Sequence, residues 1–117
     1  MSGHLAFWGS AGTDDAAAFA SVITEWVGAE GSSKSRDTGT ETTWESGDVE
    51  VFAYPDSDVP DAPSQYLFEG RVPGSAAEGR ERLEALLAAL TERIGEASID
   101  YQERDENEED VGDLETL

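Results

Sequence analysis

Residues able to carry chemistry are few, and most have a plainer account. Gly9-Ser10-Ala11-Gly12-Thr13 stands between an apolar run and an amphipathic run, where many α/β proteins hold phosphate on backbone N–H groups. That makes Gly9, Ser10, Gly12 and Thr13 a candidate ligand loop. The Gly-Lys-Ser/Thr of a P-loop and the glycine triplet of a dinucleotide site are both missing. Asp14 and Asp15 would also set negative charge against a phosphate. Loop glycines and a helix cap account for the stretch without a ligand.

His4 is the sole histidine, so a Ser-His-Asp arrangement would need it, yet no serine has a nucleophile-elbow context. With 27 Asp and Glu in 117 residues, any chosen carboxylate pair carries almost no information, and a solvated face explains them. Asp56-Ser57-Asp58 and Asp61 cluster without EF-hand spacing or a closing Glu. Lys34-Ser35-Arg36 is locally unusual in so acidic a chain, but pairing with neighbouring acids is simpler than an anion site. No catalytic residue, metal ligand or cofactor is assigned.

The remaining chemistry is aromatic. Val49-Glu50-Val51-Phe52-Ala53-Tyr54 is the strongest strand signal. Alternation sends Val49, Val51 and Ala53 one way, and Glu50, Phe52 and Tyr54 the other. A strand with one solvated face should alternate apolar with polar; this one sets small apolar residues against aromatic ones. If helices cover the Val49/Val51 side, Trp8, Phe52 and Tyr54 form a candidate interface. Its occupant would be a second subunit, a flat ligand or single-stranded nucleic acid, or a helix of the same domain. The second subunit leads the binding readings, because aromatic burial needs no positive charge.

The totals constrain partners. Asp and Glu outnumber the seven Lys and Arg to give a net charge of −20. Acid excess, a single lysine, abundant alanine and no cysteine resemble the composition of haloarchaeal proteins, whose acidic surfaces maintain solubility in concentrated salt. In ordinary buffer that charge repels nucleic acid and anionic membranes; in molar salt, with a Debye length of about 3 Å, the repulsion is largely screened. No basic patch argues for nucleic acid. Without cysteine there is no disulfide or thiolate chemistry. No basic region precedes the apolar run that stops at Gly9, so no signal peptide is expected, and no apolar run is long enough to span a bilayer.

These residues have to be positioned by the elements that periodicity predicts. His4 to Trp8 reads as a strand. A helix from about 14 to 27 follows, with Phe19, Val22, Ile23, Trp26 and Val27 on one stripe. Residues 31–39 read as a Ser-rich polar loop. Thr40–Glu45 and Val49–Tyr54 read as a hairpin closed by Ser46-Gly47-Asp48, and Pro55, Pro60 and Pro63 as an extended loop. Gln65–Val72 is the next strand. Ser75-Ala76-Ala77-Glu78 has capping-box spacing before a helix with Leu83, Leu86, Leu87, Leu90 and Ile94 on its stripe. Ala97–Gln102 is the last strand.

The order βαβββαβ, with one apolar stripe on each helix, predicts an α+β, ferredoxin-like two-layer sandwich. Both helices would cover one face of a mixed sheet; a three-layer α/β arrangement is the alternative. One domain, 1–102, is expected, followed by an acidic disordered tail, 103–117, with Leu114 and Leu117 as an alternative docking segment. The expected function is a cytoplasmic, non-enzymatic regulatory or scaffolding domain, a homodimer through the sheet face. The alternatives are a small-molecule sensor using the Gly9–Thr13 loop and a carboxylate- or metal-dependent enzyme.

Overall fold

A computed structural model describes residues 4–13, 15–36, 39–47, 49–55, 65–104 and 114–117. Strands are β1 (His4–Ala11), β2 (Ser32–Arg36), β3 (Gly39–Ser46), β4 (Val49–Pro55), β5 (Tyr66–Pro73), β6 (Ala97–Arg104) and β7 (Glu115–Thr116); helices are α1 (Ala16–Val27) and α2 (Ala76–Arg93). The sheet runs β2-β3-β4-β5-β1-β6-β7, and all neighbouring pairs are antiparallel.

The ferredoxin-like βαβββαβ sandwich on a mixed sheet is therefore overturned by the strand count and order. The physical reason lies in where α1 delivers the chain. It does not return it beside β1. It carries it to the far edge, where Ser32–Arg36, expected as loop, forms the polar edge strand β2. The meander β2–β5 then walks back until β5 docks against β1, and α2 crosses to place β6 on the other side of β1. Nor does the three-layer alternative describe the fold, since both helices pack on the same sheet face.

Local chemistry sets the helix ends. The Asp15 carboxylate accepts from the Ala18 N–H at 3.0 Å, and Gly28, at φ 83°, closes α1 by donating to the Thr24 carbonyl. The Ser75 hydroxyl accepts from the Glu78 N–H at 3.2 Å and donates to the Glu78 carboxylate at 3.0 Å. Phe19, Val22, Ile23 and Val27 of α1, and Leu83, Leu86 and Leu90 of α2, are buried against Leu5, Phe7, Val51, Phe68, Val72 and Ile99 of the sheet. Trp44 of β3 is fully buried in the same core, its indole N–H donating to the Thr24 hydroxyl at 3.0 Å. Arg93 joins the helices, reaching Glu25 at 2.9 Å.

β6 continues two residues beyond the boundary expected at 102, and Glu115–Thr116 pair with it. The expected turn residue Asp48, the Asp56–Asp61 cluster, Pro60, Pro63 and tail residues 105–113 lie outside the described residues. Among those described, no helix is long and apolar enough to cross a membrane.

Candidate functional site

Sheet alternation divides the molecule into a helix-covered face and an open one. On the open face, β1 places His4, Ala6, Trp8 and Ser10; β5 places Leu67, Glu69 and Arg71; β4 places Glu50, Phe52 and Tyr54. Among the described residues, no helix lies over them. Trp8, Phe52 and Tyr54 therefore share the face that parity assigned them.

Register shows how they are spaced. Glu69 lies opposite Phe52 on one side and Trp8 on the other. The backbone positions of Trp8 and Phe52 are thus two strand spacings apart, about 9.6 Å, with Glu69 on the strand between them. The Phe52 and Tyr54 rings touch, with centroids 5.5 Å apart. The Arg104 guanidinium lies 5.4 Å from the Trp8 ring centre, in cation–π range. All three aromatic residues are half-buried.

The face carries two shallow cavities. One, of about 240 Å³, is bounded by His4, Trp8, Glu50, Glu69, Arg71 and Arg104. The Arg71 guanidinium approaches the Glu50 carboxylate at 3.2 Å inside it, with both side chains well exposed, so the pair contributes little stability. The other, of about 160 Å³, lies between Lys34, Glu41, Thr43 and Phe52. Lys34 faces Glu41 across the β2–β3 register. The described side chains of the open face comprise five carboxylates (Glu41, Glu45, Glu50, Glu69, Asp100) and three cations (Lys34, Arg71, Arg104). On a chain of net −20 this is a nearly balanced surface.

The Gly9–Thr13 stretch is built differently from a phosphate cradle. Gly9 and Ser10 lie within β1, paired on both sides. The Gly9 backbone leaves room for the Phe68 ring on the core side. Ser10 shares a 3.0 Å hydroxyl–hydroxyl hydrogen bond with Ser98. The Gly12 N–H donates to the Glu96 carbonyl, the Thr13 N–H to the Ala11 carbonyl, and the Thr13 hydroxyl accepts from the Asp15 N–H. These bonds occupy the N–H groups of Gly12, Thr13 and Asp15. His4 borders the larger of these two cavities, and no serine is among the described residues that line it. Among the described residues, no three His, Asp or Glu side chains converge to hold a metal ion.

Sequence reading missed Arg71, Glu69 and Arg104 as neighbours of the aromatic residues. Only the strand order brings β1, β4, β5 and β6 side by side. The chain matches no family model and no curated protein.

Proposed function

We propose that the protein is a self-associating domain that pairs open sheet face to open sheet face with a second copy, acting as a scaffold or regulatory module. The observation that carries this reading is the coincidence of three half-buried aromatic residues with three cations among five carboxylates on one face that no described helix covers. Two copies of a chain of net −20 repel wherever their acidic surfaces meet. They approach at least cost where acids and bases are interleaved, and there Arg71, Arg104 and Lys34 of one copy can meet Glu50, Glu69 and Asp100 of the other. A symmetric interface of this kind requires a self-complementary patch. Seven strands at about 4.8 Å spacing give a face roughly 30 Å by 20 Å, the scale of the ~800 Å² per partner of a stable interface.

The test is sedimentation equilibrium in 2 M KCl on Trp8→Glu and Phe52→Glu. Each should weaken association at least about tenfold, since buried aromatic anchors dominate interface energies. Ala88→Arg, on the helix side, should leave it unchanged. Equal association in the open-face variants and the parent would reject this face as the interface.

A further inference from the structure

The larger hollow of the open face belongs to a single chain, and what it binds does not rest on the self-association reading. Its floor is Ala6, which register sets between Arg71 of β5 and Gln102 of β6. Alanine is the smallest side chain of that row, and here it is buried. Trp8 and His4 stand on either side of it along β1, Glu69 and Arg71 along β5, and Arg104 opposite His4 on β6; together they bound about 240 Å³. Glu69 is half-buried and lies opposite Trp8. Among the described residues it makes no hydrogen bond or ion pair.

Charge selects the ligand. Two carboxylates, Glu50 and Glu69, and two guanidiniums, Arg71 and Arg104, border the hollow, so its lining is balanced on a chain of net −20. A simple anion is repelled by the rest of the molecule, and a simple cation is drawn to any of the 27 acids. A zwitterion is held only where both signs stand at its own spacing. Glu69 and Arg71 are alternate residues of β5, on one face and about 7 Å apart. An α-amino acid sets its ammonium nitrogen about 2.5 Å from its carboxyl carbon. With a charge-assisted hydrogen bond of about 2.8 Å at each end, it spans that interval. The pairs Arg80–Glu84 and Arg93–Glu25 are each closed on themselves at 2.9 Å. Arg71 instead meets Glu50 of the neighbouring strand at 3.2 Å, which leaves Glu69 to a ligand.

We propose that this hollow binds a small α-amino acid by its zwitterionic head. The ammonium group donates to the Glu69 carboxylate. The ligand carboxylate accepts from Arg71, whose five N–H donors allow it to hold Glu50 as well. The apolar side chain of the ligand lies on the Trp8 ring, over Ala6. The Gly9–Thr13 loop has no part in this site.

The test titrates L-leucine, up to about 50 mM, into the isotope-labelled full chain in 2 M KCl, followed by heteronuclear NMR. It is run on the parent and on Phe52→Glu, so that a second copy covering the face cannot hide the site. The Trp8 indole N–H and the backbone N–H groups of Glu69 and Arg71 should shift most. Two analogues serve as controls: 4-methylpentanoate, which lacks the ammonium group, and 3-methylbutylamine, which lacks the carboxylate. Each should bind about tenfold weaker than leucine, the cost of one charge-assisted hydrogen bond. Glu69→Gln should lose about tenfold for leucine and nothing for 4-methylpentanoate. Ala6→Leu fills the hollow while keeping every charge, and should abolish the shifts; circular dichroism confirms that each variant is folded. Absence of binding in both the parent and Phe52→Glu overturns the proposal. Equal affinity for leucine and its two analogues does so too, as does leucine binding that survives Ala6→Leu.

Discussion

The Arg104 guanidinium lies 5.4 Å from the centre of the Trp8 ring, on the side of the sheet that no described helix covers. One of seven basic residues in a chain of net −20 thus lies against an aromatic ring on this face. Arg71 and Lys34 lie on the same face, each opposite a carboxylate. Cations and aromatic rings thus stand together on this face, the arrangement on which the proposed self-association rests.

Charge leads to the first prediction. Exposed like charges at −20 oppose compaction, and salt screens them within about 3 Å at 1 M. The melting temperature should therefore rise steeply between 0.1 and 2 M KCl, followed by circular dichroism. A melting temperature independent of salt over that range would contradict the account of the acidic surface.

A second prediction concerns two reciprocal pairs in the core. Phe7 stands opposite Gly70, and Phe68 opposite Gly9, so each ring lies over the glycine of the neighbouring strand. A Cβ on Gly70 would come within 2.9 Å of the Phe7 ring and would also collide with the Glu50 carbonyl. Gly→Ala in a strand ordinarily stabilises through the unfolded state. Here Gly70→Ala should destabilise by about 2 kcal/mol, the usual cost of overpacking, measured by urea denaturation at fixed KCl.

Gly79 makes a similar point in a helix. Glycine inside α2 costs up to about 1 kcal/mol relative to alanine, yet an added Cβ would lie 2.7 Å from Leu5 Cδ1. Leu5 is fully buried and has nowhere to move. Gly79→Ala should therefore lose about 1 kcal/mol net by the overpacking term. A rise in denaturation midpoint would show that α2 can shift away from β1.

The two helices and the main strands were legible, though not the fold they build, because burial leaves a period. Both helices announce themselves by apolar stripes at 3.6-residue spacing, and Val49–Tyr54 by alternation. Ser32–Arg36 was not legible, because an edge strand needs no apolar face and its polar sequence reads as a loop. Glu115–Thr116 is too short to carry any period. Strand order was hidden because alternation says which side a residue faces and nothing about its neighbour. One signal was available. Phe7-Trp8-Gly9 and Phe68-Glu69-Gly70 repeat Phe-x-Gly, which in antiparallel register sets each ring on the other's glycine. The open face was legible to the same degree: parity placed Trp8, Phe52 and Tyr54, while Glu69, Arg71 and Arg104 joined them only through register.

The central claim is tested most directly by light scattering coupled to gel filtration of the unmodified chain in 2 M KCl, across a hundredfold range of concentration. The account predicts a mass rising to a plateau at twice the 12.5 kDa of the monomer, with Trp8→Glu remaining monomeric over the same range. A monomer mass for the unmodified chain at every concentration would contradict it.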